Sequence, residues 1–156
     1  MPLPQDKLTN LTHESELESQ IVYELSRGRR YGWPLSFILV EPVLPDGVGQ
    51  DMTYPALRRL ALTCAQQMRS VDRGIRCGSG VLYILPETPR DGAEVALGKV
   101  RQNFSETEVP NPISGETFHC SLRGAVFTYD GAVAAKEQGV PPNWREVLVQ
   151  LRGDLE

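Results

Sequence analysis

Between Arg69 and Thr88 the chain reads RSVDRGIRCGSGVLYILPET, where residue types capable of chemistry lie closest together. Arg69 and Asp72 set a planar guanidinium fork and an acceptor-only carboxylate three positions apart. Such a pair can bond jointly to one ligand, or to each other as an ordinary ion pair of little energetic value. Gly78, Ser79 and Gly80 follow between two apolar runs. Glycine takes positive φ without steric cost, so these residues read as the tight turn of a hairpin kept for folding. The turn offers one hydroxyl and no carboxylate, whereas a divalent cation needs several hard oxygen ligands. Glu41 closes another apolar run with no second acid beside it. A lone Glu41 reads as a strand-end surface carboxylate rather than a metal ligand.

The elements that must position these residues follow from periodicity. Thr12 can cap a first helix running to about Arg30, with Leu17, Ile21 and Leu25 on one face. Leu35 to Val40 is apolar on both faces, as in a central strand, and Leu44 to Gln50 is a Pro- and Gly-bearing loop. A second helix begins near Pro55, its stripe formed by Leu57, Leu60, Ala61, Cys64, Ala65 and Met68. Arg69 and Asp72 then fall at its end, where residues three apart share one side. Gly74 to Arg76 and Val81 to Leu85 form the hairpin arms. Thr88 and Pro89 start a third helix, with Ala93, Ala96, Leu97, Val100 and Phe104 inward. Val109 to Gly115 is a loop, and from Phe118 apolar and polar residues alternate along a strand with one wet face. Asp130 to Pro142 is irregular, with a short turn at Val133 to Lys136. Trp144 to Leu151 is a last helix capped by Asn143, packing through Val147, Leu148 and Leu151.

At 156 residues the chain is expected to form a single domain over residues 1–156 with a proper core. A net charge of −4 argues against non-specific nucleic-acid binding, which needs a cationic surface. No run reaches the length of a membrane span, and no secretory leader is recognisable at residues 1–10. Cys64, Cys77 and Cys120 are odd in number and widely spaced, reading as small buried hydrophobes in a reducing, cytoplasmic compartment. His119 and Cys120 are strand neighbours, point to opposite faces and do not converge on one ion.

The motifs around the turn resemble the GGDEF domain of the diguanylate cyclase family, whose R-x-x-D, R-x-G-G-[DE]-E-F and L-P-x-T elements follow in this order. Arg69 and Asp72 match the first, Arg76 and Gly78 open the second, and Leu85, Pro86 and Thr88 close the third. RYGWPLSFILVEPV is similar to the family's first strand, and Asp6, Leu8, Thr9, Asn10 and Leu11 to its leading D-x-L-T-G-L motif. The resemblance is clearest over residues 6–128; the family's closing A-D-x-A-L-Y-x-A-K segment has no recognisable counterpart. It implies an α/β (α+β) fold, a central and mostly antiparallel sheet flanked by helices.

The departures are as informative as the matches. Where the family carries its acidic turn, this chain has Ser79, Gly80 and Val81, with one residue fewer. Glu41 occupies the place of the family's metal-binding aspartate, and the guanine-recognising segment has no counterpart in Leu44 to Asp51. The resemblance therefore implies a degenerate, non-enzymatic signalling or regulatory domain, with no catalytic residue, no metal site and no cofactor. The retained Arg69 and Asp72 match the family's inhibitory site for cyclic di-GMP. There Arg would pair with guanine O6 and N7 and Asp with the N1 and N2 hydrogens, with Lys99 and Arg101 adding phosphate or base contacts. Two alternatives stand beside this. One is a ligand-free module that dimerises or contacts other signalling domains. The other is residual cyclase or GTP-hydrolysing activity through Glu41, the only case that calls for Mg²⁺.

Overall fold

The computed structural model describes residues 2–137 and 141–156. Along the chain run α1 (Leu17–Tyr31), β1 (Pro34–Val43), α2 (Thr53–Gln67), β2 (Arg73–Cys77), β3 (Gly80–Pro86) and α3 (Arg90–Glu106). They are followed by β4 (Val109–Pro110), β5 (Thr117–Phe118), β6 (Ser121–Asp130), α4 (Gly131–Glu137) and α5 (Trp144–Gly153). Four strands form one antiparallel sheet in the order β2-β3-β1-β6, and β4 pairs with β5 apart from it.

Strand periodicity sorts the core into two halves. Ile38, Val40, Val81, Tyr83, Leu85, Leu122 and Val126 face α2 and α3, meeting Leu57, Leu60, Leu97, Val100 and Phe104. Leu35, Phe37, Leu39, Ile75, Leu82, Ile84 and Tyr129 face the other way, against Leu17, Ile21 and Leu25 of α1 and Val147 and Leu151 of α5. Successive side chains of a strand point to opposite faces, so a strand apolar on both sides must be sandwiched between helices. The expected fold class is the one observed.

Several local expectations are corrected. Thr12 does not cap α1; its backbone forms an extended bridge to β2, with Thr12 N donating to Gly74 O (3.1 Å) and Arg76 N to Thr12 O (3.0 Å). The cap passes to the His13 side chain, which accepts from Ser15 N at the head of a 3-10 turn over Glu14–Glu16 preceding α1. Thr88 lies outside α3, whose N-cap is Pro89, because its hydroxyl is committed elsewhere. The loop after α3 contains the short strand β4, and the strand expected from Phe118 is broken at His119 and Cys120 into β5 and β6. The turn expected at Val133 to Lys136 is the helix α4, because Asp130 Oδ1 accepts from Ala132 N and Val133 N. Residues 138–140 of the segment read as irregular lie outside the described residues. Asn143 caps α5 as expected, accepting from Arg145 N.

Both outer strands are met by the chain's own terminal segments. Thr12 covers β2, while Glu156 and Gly124 of β6 exchange two backbone hydrogen bonds of 3.1 and 3.2 Å. Occupied edge groups are unavailable for pairing with another sheet.

Candidate functional site

The hairpin turn is built by steric exclusion. Cys77 pairs with Gly80, leaving Gly78 and Ser79 as a two-residue loop in which Gly78 has φ +62°. Glycine satisfies that backbone without penalty. Gly80 is required for a different reason: a Cβ there would overlap Val40 O and lie 2.7 Å from Glu41 Cγ. Val81 is fully buried in the core facing α2 and α3, so its side chain is not presented at the turn. Ser79 is exposed.

Glu41 does lie against the hairpin, and two cations face it. It is directly opposite Arg123 in the β1–β6 register. Arg123 Nη2 is 3.7 Å from Glu41 Oε2 and Arg152 Nη1 is 4.0 Å from Oε1, while the Glu41 side chain is 14% exposed. Arg152 also donates from Nη2 to Cys77 Sγ at 3.3 Å. Among the described residues, no three His, Cys, Asp or Glu side chains gather as a metal-binding group. One carboxylate set between two guanidinium groups does not fit a divalent ion, which requires several oxygen donors around it.

The leading segment braces the same hairpin. Asp6 Oδ2 accepts from Thr9 N (2.9 Å) and Thr9 Oγ1 (2.8 Å), while Arg76 Nη1 reaches Asp6 Oδ1 at 3.1 Å. Burial pushes the Asp6 carboxyl up, but the Thr9 hydrogen bonds and the Arg76 guanidinium outweigh it and hold it below the usual range. Arg76 Nε donates to Gly78 O (3.2 Å), and Gly78 N donates to Glu14 Oε1.

Arg69 and Asp72 lie in the turn after α2 rather than on the helix, which ends at Gln67. The turn is closed by Asp72 N donating to Arg69 O (3.0 Å). Arg69 grips Asp72 through Nη2 to Oδ1 (2.9 Å) and Nε to Oδ2 (3.3 Å), with Arg69 N adding a bond to Oδ2 (2.8 Å). Arg69 Nη2 also reaches Thr88 Oγ1 (2.7 Å) and Pro86 O (3.1 Å). The Asp72 hydrogen bond and charge raise the Arg69 pKa above its ordinary value. The halves of the pair differ sharply in access: the Arg69 side chain is 56% exposed and Asp72 only 3%. Asp72 thus orients the guanidinium, and only Arg69 is presented to solvent.

Lys99 and Arg101 are not gathered at this pair. Lys99 is exposed on the outer side of α3. Arg101 is turned to the far edge of the sheet, where Nη1 donates to Leu122 O (2.8 Å) and Nη2 to Glu156 O (3.3 Å). The rise of an α-helix puts it roughly 16 Å along α3 from Arg90, the helix's first residue. The basic residue nearer to Thr88 in sequence is Arg90, which pairs with Glu94 at 3.3 Å.

The thiols offer no second chemistry. Cys64, Cys77 and Cys120 are all free and buried. Burial pushes Cys64 up to about 12 and raises Cys77 and Cys120 as well, opposing thiolate formation. His119 is exposed and contacts Ser105 O through Nδ1, while Cys120 is buried, so the neighbours diverge.

Reading the sequence did not anticipate Arg123, Arg152, Glu14 or Thr88 as partners of these groups. Thr88 carried a signal, since it stands in the L-P-x-T element beside the hairpin. The two arginines carried none, because their convergence on Glu41 depends on strand register and on the docking of α5.

No protein-family model matches the sequence, and no curated protein matches it. Solved structures, however, share its fold. The diguanylate cyclase SiaD of Pseudomonas aeruginosa, in complex with its activator SiaC, has a TM-score of 0.79 at 19% identity. That match covers 96% of this chain and 55% of SiaD, so the chain spans just over half of that protein. The GGDEF domain of DgcB from Caulobacter crescentus, in complex with c-di-GMP, has a TM-score of 0.79 at 12% identity, covering 98% of this chain and 88% of that one. The GGDEF domain of FimX from Pseudomonas aeruginosa has a TM-score of 0.79 at 14% identity, covering 96% and 90%. The chain has the fold of a GGDEF domain.

Proposed function

We propose that this chain is a GGDEF-like domain without cyclase activity, serving as a regulatory module in cytoplasmic signalling. One observation carries the reading. The hairpin that would have to hold metal beside nucleotide phosphates presents Gly78, Ser79 and Gly80, and the acids beside it are already engaged: Glu41 faces Arg123 and Arg152, and Glu14 accepts from Gly78 N. Phosphoryl-transfer chemistry depends on metal ions that neutralise phosphate charge, and this donor set supplies no cage for one. Incubation with GTP and Mg²⁺ or Mn²⁺ tests the proposal. No cyclic di-GMP and no GDP is the expected result; turnover that disappears in Glu41→Gln would restore the enzymatic reading.

We further propose cyclic di-GMP as the effector, taken up at Arg69 and Asp72. The exposed Arg69 fork, pre-aligned by Asp72, Thr88 and Pro86, supports the arginine half. The carboxylate half requires Asp72 to turn away from Arg69, because both its oxygens are engaged. Calorimetric titration of the 156-residue chain decides between the outcomes. Heat with micromolar cyclic di-GMP that is lost in Arg69→Ala supports the site. Absence of heat favours the second reading, a ligand-free module acting through protein contacts or a homodimer, to which the closed Arg69–Asp72 pair is equally suited.

A further inference from the structure

Residues 76–78 are where the two ends of the chain meet. From the front come the Asp6 carboxylate on Arg76, the Thr12 backbone on Gly74 and Arg76, and the Glu14 carboxylate on the Gly78 amide. From the back, α5 sends Arg152 to Cys77 Sγ and toward Glu41. Apart from those on Gly74 and Glu41, these contacts fall on three consecutive residues, and they come from segments more than a hundred residues apart in sequence. The helices that follow and precede them, α1 and α5, pack into the same core half through Leu17, Ile21, Leu25, Val147 and Leu151.

The short segment between these anchors has little room to absorb displacement. Cys77 is buried, Gly78 has its amide and its carbonyl both bonded, and Gly80 is pressed against Val40 and Glu41. A packed element of this kind transmits a shift instead of dissipating it. We propose that residues 76–78 are a mechanical joint, coupling the position of the leading segment (residues 5–14) to that of α5. A displacement imposed at one end then changes the anchoring of the other. The coupling is a free energy and must act equally in both directions. It stands whether or not a nucleotide binds at Arg69.

Hydrogen–deuterium exchange on the whole chain tests it with Arg152→Gln, Glu14→Gln and, as a control on α5, Arg145→Gln. Arg152→Gln is expected to speed exchange in residues 5–14 by roughly threefold or more, and Glu14→Gln to do the same in residues 148–153. The amides of α3 are expected to keep their rates, and Arg145→Gln to leave residues 5–14 unchanged. Acceleration confined to each variant's own segment overturns the proposal. So does a uniform rise that includes α3, which reports global destabilisation, or an equal response to Arg145→Gln.

Discussion

Asp6 and Arg76, separated by 70 positions, close a 3.1 Å ion pair that fastens the leading segment to the sheet. The Asp6 side chain is only 9% exposed, so removing its carboxylate deprives Arg76 Nη1 and the Thr9 amide and hydroxyl of their acceptor. Asp6→Ala is expected to cost about 2 kcal/mol in urea denaturation. The sign of its pH dependence follows from the depressed Asp6 pKa. Its contribution is present in full above the unfolded-state value of about 4 and is lost as pH falls through the lower folded value. Asp6→Asn should therefore flatten the acid limb of the stability profile below about pH 4 relative to the parent protein.

Across the β2–β3 pair, Gly74 stands opposite Tyr83, whose ring lies over the glycine. A Cβ at 74 would sit 2.6 Å from Tyr83 Cζ, and Tyr83 is too deeply buried to swing aside. Gly74→Ala is expected to destabilise by about 1–3 kcal/mol, as overpacking does. Combining it with Tyr83→Val should cost less than the sum of the two single changes, which a thermal-melt double-mutant cycle reads directly.

Arg69→Ala leaves the buried Asp72 carboxylate with a single hydrogen bond, from the backbone amide of residue 69. A loss of about 1–2 kcal/mol is expected by chemical denaturation. Arg69→Lys should recover only part of it, since an ammonium cannot reproduce the paired bonds to Oδ1 and Oδ2 together with those to Thr88 and Pro86. Full recovery by lysine would show that charge alone, and not the planar fork, holds the turn.

Glu41→Gln is a weaker perturbation. Its arginine partners lie at 3.7 and 4.0 Å and are half exposed. Less than about 1 kcal/mol should be lost, and the loss should shrink further in high salt. A larger cost would mean that Glu41 is bound more tightly than these distances describe.

Much of the fold was legible because it is written locally. The stripes of α2, α3 and α5, the two-faced apolar run of β1 and the glycine turn at residues 78–80 each declare themselves within a dozen residues. Asn143 was readable as a cap because it directly precedes an amphipathic run. Asp130 does the same for α4, but it ends a strand, and the alanine-rich residues after it show no periodicity. Thr12 looked like a cap because cap chemistry is local, whereas its actual role, an extended bridge to Ile75, is set by a distant strand. The site was half visible for the same reason. Arg69, Asp72 and the turn are contiguous, but the burial of Asp72, the placing of Arg101 at the far edge and the two cations at Glu41 are properties of assembled layers.

The crowding of Gly80 against β1 decides which positions of this bend could carry an acid. Any L-residue at position 80 meets a main-chain carbonyl that cannot step aside unless the neighbouring strand moves with it. A mutation to aspartate there is a folding defect before it is a gain of chemistry. Position 78 has room for a Cβ but a φ of +62° that disfavours one, so Ser79, exposed to water, is the position best suited to a carboxylate, and an acid there would still find Glu41 already flanked by arginines. Building an ion site at this bend is thus a concerted problem involving β1, β6 and α5, beyond the reach of one codon.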